Sequence, residues 1–80
     1  MEVTDALALG EAIRQRRKLI GLTQRDAAGL CGVGERFLSE LERGKESASL
    51  GKVVQVIKRL GLRLFLDGQI QIAKGDNEYA

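Results

Sequence analysis

The sequence predicts a mainly α-helical chain that closes with a short β-extension. Three observations carry this. Four segments between residues 6 and 61 repeat apolar residues at helical spacing and are bounded by capping residues and glycines. From Leu62 the period drops to two. Between the two alternating runs sits Asp67-Gly68, a pair suited to type I′ hairpin turns. Eighty residues make one small domain. A chain of this size buries only about 60% of its unfolded surface, so a core shared with a second copy would relieve that limit.

The first helix is expected from about Ala6 to Ile20. Thr4 or Asp5 can cap it by accepting an orphan backbone N–H. Leu9, Ala12, Ile13 and Ile20 recur near helical spacing, with the stems of Arg16 or Arg17 between them. Gly21 ends it, because glycine enters a left-handed C-cap without penalty. The second helix starts after Thr23, where Thr23-Gln24-Arg25-Asp26 resembles a capping box. It is short, carries the small Ala27 and Ala28, and stops near Cys31-Gly32. Gly32-Val33-Gly34 forms the turn. The third helix runs from about Glu35 to Glu42, with Leu38 and Leu41 inward and Phe37 flanking, and Gly44 closes it. For the fourth, Ser49 is the expected cap, and Leu50, Val53, Val54, Ile57 and Leu60 trace an apolar stripe that ends at Gly61. Leu62 to Leu66 and Gln69 to Ile72 then read as strands. A two-residue loop at Asp67-Gly68 would set Phe65 opposite Ile70. Such a hairpin is not stable alone, so it must pack on helices or join strands of a second chain.

Composition narrows the chemistry. The chain has no His, a single Cys31 and no Gly-x-x-x-x-Gly-Lys-Ser/Thr loop. It therefore lacks a histidine base, a thiolate zinc set and a phosphate-cradling P-loop. No enzyme activity, metal or cofactor is expected. A lone cysteine, no long apolar run and no secretory-type start point to the cytoplasm, with no membrane partner. Net charge is +2, unevenly spread. Arg14, Arg16, Arg17 and Lys18 crowd residues 1–22, and Lys45, Lys52, Lys58 and Arg59 face only Glu46 across residues 45–60. Such flanks can be ordinary solvated faces, or they can hold phosphates on either side of a recognition element.

Two short helices around a glycine turn form a helix-turn-helix pattern, which places its second helix in the major groove of DNA. The N-terminal end of that helix is Gly34, Glu35 and Arg36, with Ser39 a turn on and Glu40 behind it. Arg36 can contact guanine O6 and N7, Glu35 can either accept from cytosine N4 or repel phosphate, and Ser39 suits either base type. Thr23 and Gln24 start the preceding helix, where Gln24 and exposed N–H groups can meet phosphate. Arg43 and Lys45 are further phosphate candidates. The alternative is a helical bundle or protein-interaction adaptor whose polar residues merely fall this way. Cys31, Phe37 and Phe65 read as packing residues.

Residues 9–44 resemble the lambda-repressor-like, Xre-type DNA-binding domains. Residues 9–66 are similar, more narrowly, to HipB-type and Y4mF-type antitoxins. The matching strings are Leu9-Gly10 with Ile13-Arg14, Arg16-Arg17-Lys18, Gly21-Leu22-Thr23-Gln24, Arg36 through Lys45, Leu50-Gly51-Lys52-Val53 and Leu60-Gly61-Leu62-Arg63-Leu64. The resemblance implies a lambda-repressor-like helix-turn-helix domain with a short C-terminal β-strand or hairpin used in dimerisation. It implies a homodimer that binds an inverted-repeat operator in its own promoter and holds a HipA-like serine/threonine kinase toxin inactive. A stand-alone Xre-type repressor or a restriction–modification controller protein is the alternative. By position, Arg17 and Glu42 are implied to form a partly buried ion pair. Leu62, Leu64, Phe65, Leu66, Ile70 and Ile72 are expected at the dimer surface. Within one domain of residues 1–80, residues 6–61 form the expected core, 62–73 the β-extension and 74–80 a flexible tail. Two departures stand out: Gly34 occupies a position where Ser is common, and Glu35 one where basic or uncharged polar residues are common. The second strand is not a general feature of the family.

Overall fold

The computed structural model describes residues 1–75. Its elements are α1 (Ala6–Leu19), α2 (Gln24–Cys31), α3 (Glu35–Glu42), α4 (Leu50–Arg59), β1 (Leu62–Leu66) and β2 (Ile70–Lys74). The chain is mainly helical, with an antiparallel hairpin at its C-terminal end.

The caps explain where the first two helices begin. Asp5 accepts a hydrogen bond from the Ala8 N–H at 2.8 Å, and the Thr23 hydroxyl accepts from the Asp26 N–H at 3.0 Å. Each satisfies a first-turn donor with no partner inside its helix. Ser49 stands at the N-cap of α4, but its side chain makes no capping bond, contrary to expectation.

The core joins Ala12 and Ile13 of α1, Ala27, Ala28 and Cys31 of α2, Leu38 and Leu41 of α3, and Val53, Val56 and Ile57 of α4, with Leu60, Ile72 and Val3. α1 and α3 cross at Gly10, where a Cβ would lie 2.8 Å from the Glu42 carbonyl oxygen and closer still to that of Leu41. Only glycine permits that approach. The buried stripe of α4 is Val53, Val56, Ile57 and Leu60, rotated from the expected one. Leu50 is 75% exposed and Val54 39%. The i, i+3, i+4, i+7 pattern that begins at Val53 captures the completely buried Val56, and Leu50 and Val54 lie on its outer flank.

The hairpin register also differs. Leu66 lies opposite Ile70, Phe65 opposite Gln71 and Leu64 opposite Ile72, so Phe65 does not pair with Ile70. The connection spans Asp67, Gly68 and Gln69, and Gly68 takes the left-handed conformation at φ 69°. A one-residue slip exchanges the faces of a strand. The observed register puts Leu62, Leu64, Leu66, Ile70 and Ile72 on one face, with Ile72 in the core. β2 ends at Lys74, one residue inside the segment assigned to the tail, and the Gly75 N–H donates to the Gly61 carbonyl at 2.8 Å. The rest of that segment, residues 76–80, lies outside the described residues.

The sequence offered no sign of a third strip of backbone along the hairpin. Residues 1–3 run antiparallel beside β2: the Val3 N–H donates to the Ile70 carbonyl at 2.7 Å, and the Ile72 N–H to the Met1 carbonyl at 2.8 Å. This occupies the outer edge of β2 and places Val3 in the core. Among the described residues, no helix is long and apolar enough to cross a membrane.

Candidate nucleic-acid interface

α2 and α3 are joined by the turn Gly32-Val33-Gly34. Gly32 adopts φ 72°, the left-handed conformation that ends α2. The α2 C-terminus is held from α4, where the Gln55 amide donates to the Cys31 carbonyl at 2.6 Å and the Arg59 guanidinium to that of Leu30 at 3.4 Å. These bonds satisfy last-turn carbonyls that lack intrahelical donors. They span 24 and 29 residues, and no local sequence signal announces them.

The other end of the motif is locked by charge. Arg17 of α1 donates from Nε to Glu42 Oε2 at 2.6 Å and from Nη2 to Oε1 at 3.0 Å. Its Nη1 donates to the Leu22 carbonyl at 2.8 Å. The two side chains are only 9% and 2% exposed. Gln24, the first residue of α2, donates its amide Nε2 to Glu42 Oε1 at 3.0 Å. One carboxylate at the end of α3 thus ties α1 to the start of α2, and Arg17 in turn holds the loop before α2 through the Leu22 carbonyl. Burial pushes the Glu42 carboxyl upward. The Arg17 and Gln24 hydrogen bonds, with the charges of Arg17 and Arg14, outweigh it and hold the group below the ordinary carboxylate range. The same hydrogen bond to Glu42 outweighs burial to raise Arg17. Among the described residues, every buried side-chain nitrogen and oxygen has a hydrogen-bond partner.

α3 buries Leu38, Leu41 and Glu42 and turns its other side outward. Glu35 and Arg36 are exposed at its start, and Ser39 and Glu40 are half-buried along it. The first turn of α3 meets no capping side chain, because Gly34 occupies the N-cap. Its backbone N–H groups and the positive end of the helix dipole suit a phosphate or another acceptor. Beyond α3, Arg43 Nη1 donates to Ser39 Oγ at 2.7 Å and Lys45 Nζ to Glu40 Oε1 at 3.1 Å. Arg36 Nε lies 3.4 Å from Glu40 Oε2. Lys52 of α4 places its ammonium 5.6 Å from the ring centre of Phe37 on α3, a cation–π contact between the two helices.

The sequence-derived candidates therefore fall into two groups. Gln24, Glu35, Arg36, Ser39, Glu40, Arg43 and Lys45 lie along the α3 side of the motif or at the start of α2. Thr23 uses its hydroxyl as the α2 cap, and Gly34 contributes backbone alone. The hairpin residues lie apart from these. Leu64, Leu66 and Ile70 are 38%, 79% and 44% exposed, whereas Leu62 and Phe65 are half-buried. Ile72 is spent in the chain's own core and leaves little surface for a partner.

A helix-turn-helix family model matches residues 13–66. The uncharacterized HTH-type transcriptional regulator y4mF of Sinorhizobium fredii is 47% identical over 53 residues, covering 66% of this chain and 70% of that protein. Among solved structures, HipB in complex with the O4 20mer superposes with a TM-score of 0.76 at 21% identity, covering 84% of this chain and 94% of HipB. HipB in the HipA–HipB–O2–O3 complex matches with the same values. The restriction–modification controller protein C.AhdI from Aeromonas hydrophila superposes with a TM-score of 0.64 at 28% identity, covering 72% of this chain and 88% of that one.

Proposed function

This chain belongs to the helix-turn-helix family, in its Xre-type branch, and from that premise we propose that it is a sequence-specific DNA-binding regulator with α3 as its recognition helix. The observation that carries the proposal is the Glu42 junction. It spends the buried face of α3 on α1 and α2 and leaves Glu35, Arg36, Ser39 and Glu40 facing outward as one rigid unit. In this reading Arg36 contacts a base edge, Arg43 and Lys45 contact phosphates, and the first turns of α2 and α3 anchor the backbone. Residues 6–61 form the DNA-reading unit, and residues 62–73 the assembly extension.

The protein works in the cytoplasm as a homodimer on an inverted-repeat operator. The outward-facing Leu64, Leu66 and Ile70, and the uncovered Leu50 and Val54 of α4, support this. Two recognition helices related by a two-fold axis would meet successive major grooves about 34 Å apart. The protein is an antitoxin that represses its own operon and neutralises a HipA-like kinase. That finer assignment rests on the likeness to HipB, whose solved complexes include HipA. A stand-alone repressor or controller protein is the second reading, supported by the likeness to C.AhdI.

A binding comparison tests the assignment of roles. Arg36→Ala should relax preference at one position by about 1–3 kcal/mol, and Lys45→Ala should weaken every duplex while leaving the preference at that position in place. Equal effects from both variants would contradict it. Co-purification with a HipA-like kinase encoded beside this chain supports the antitoxin reading. The absence of both such a neighbour and such a complex sinks it in favour of the stand-alone regulator.

A further inference from the structure

We propose that Glu40 sets the DNA specificity of α3 by restraining its two neighbouring cations, releasing them only where a base amine takes their place. The inference rests on the DNA-binding reading above and deepens it.

The geometry places one carboxylate between two cations. Oε1 accepts from Lys45 Nζ at 3.1 Å, and Oε2 faces Arg36 Nε at 3.4 Å. Each oxygen serves a different partner. The Glu40 side chain is 25% exposed, against 90% for Arg36 and 47% for Lys45, so the carboxylate sits low on the helix with both cations above it. The Lys45 hydrogen bond leads the effects that hold Glu40 below the ordinary carboxylate range, so it is anionic at neutral pH. The cluster therefore presents one net positive charge rather than two.

On DNA these pairs compete with phosphate and base. Arg36 and Lys45 must leave Glu40 to reach guanine or a phosphate, and the carboxylate then stands alone beside a polyanion. Only cytosine N4 and adenine N6 offer amine donors in the major groove. Where a half-site presents such an amine to Glu40, the carboxylate keeps a donor and both cations are released. Where it presents none, the cations stay held and fewer phosphates are neutralised. Glu40 thus penalises wrong sequences more than it strengthens the right one, which is specificity by repulsion.

The test compares wild type, Glu40→Gln and Glu40→Ala. One probe is a labelled random-sequence duplex of about two helical turns, and the other is a pool randomised across the same length. Glu40 is at the surface, and overlapping circular dichroism spectra establish that the variants are folded. On the random duplex both variants should bind more tightly than wild type. Their log–log salt slope should be steeper by about 0.9 for one freed cation and about 1.8 for two. From the pool, wild type should select cytosine or adenine at one position per half-site, and both variants should lose that preference. Unchanged slopes with identical selected sites would overturn the role of Glu40 and leave the DNA-binding reading intact. A wild type that binds neither probe at low salt would overturn both.

Discussion

Replacing Glu42 by Ala removes the acceptor of three hydrogen bonds, two from the Arg17 guanidinium and one from the Gln24 amide. Arg17 then keeps only its bond to the Leu22 carbonyl, in a site where its side chain is 9% exposed. Breaking a buried pair by removing one partner costs about 3–5 kcal/mol, because the remaining charge is desolvated without compensation. Total stability for a domain of this size is about 4–12 kcal/mol, so the loss is a large share of the whole. At about 4–8 °C per kcal/mol, the melting temperature should fall by more than about 12 °C. Urea unfolding followed by circular dichroism at pH 7 measures the free-energy loss, and a thermal melt measures the fall in melting temperature. The double variant Arg17→Met with Glu42→Leu separates charge from packing. It removes both charges, and such replacements of buried pairs are often neutral or stabilising. It should therefore lie closer to wild type than Glu42→Ala does. A loss below about 1 kcal/mol for Glu42→Ala, the range of an exposed pair, would refute the claim that this junction holds the motif together.

The same carboxylate predicts a pH dependence. Its folded pKa is lowered from the ordinary 4.5, so its contribution is complete above that value and is lost as pH falls through the folded pKa. Unfolding midpoints should thus decline below pH 4.5, and this part of the decline should be absent in Glu42→Gln. Gly10→Ala should destabilise despite the better helix propensity of Ala. Overpacking against the Leu41 and Glu42 carbonyls costs about 1–3 kcal/mol, against a propensity gain of about 1 kcal/mol. A more stable Gly10→Ala in thermal melts would show that α1 and α3 can separate cheaply. Gly34→Ser should stabilise by roughly a few tenths of a kcal/mol, because the N-cap is already extended at φ −72° and a Cβ meets nothing within 4 Å. A less stable Gly34→Ser in the same melts would contradict that account of the cap.

Four helices could be read from the sequence because their ends are written locally. Asp5 and Thr23 cap the first two, and Gly21, Gly32, Gly44 and Gly61 all take positive φ just after the helices. The stripe of α4 was harder. Leu50, Val53, Val54, Val56 and Ile57 cover more than one face, and tertiary packing chose among them. Asp67-Gly68 announced a turn but not its length, and burial of Ile72 decided the register. The strip formed by residues 1–3 left no trace, since three residues carry no periodicity. At the candidate interface, Arg36 and Glu40 are four apart and their contact follows from helix geometry. The Gln24–Glu42 bond spans 18 residues and depends on how the two helices cross.

The outward side of α3 is proposed to read DNA as half of a two-fold pair. Fluorescence anisotropy of the wild-type chain, titrated onto a duplex from its own upstream region across a salt series, tests it most directly. Two chains should bind each palindromic duplex, with affinity falling by a log–log slope of about −0.9 per phosphate neutralised. Failure to bind at low salt, or binding insensitive to salt, would contradict it.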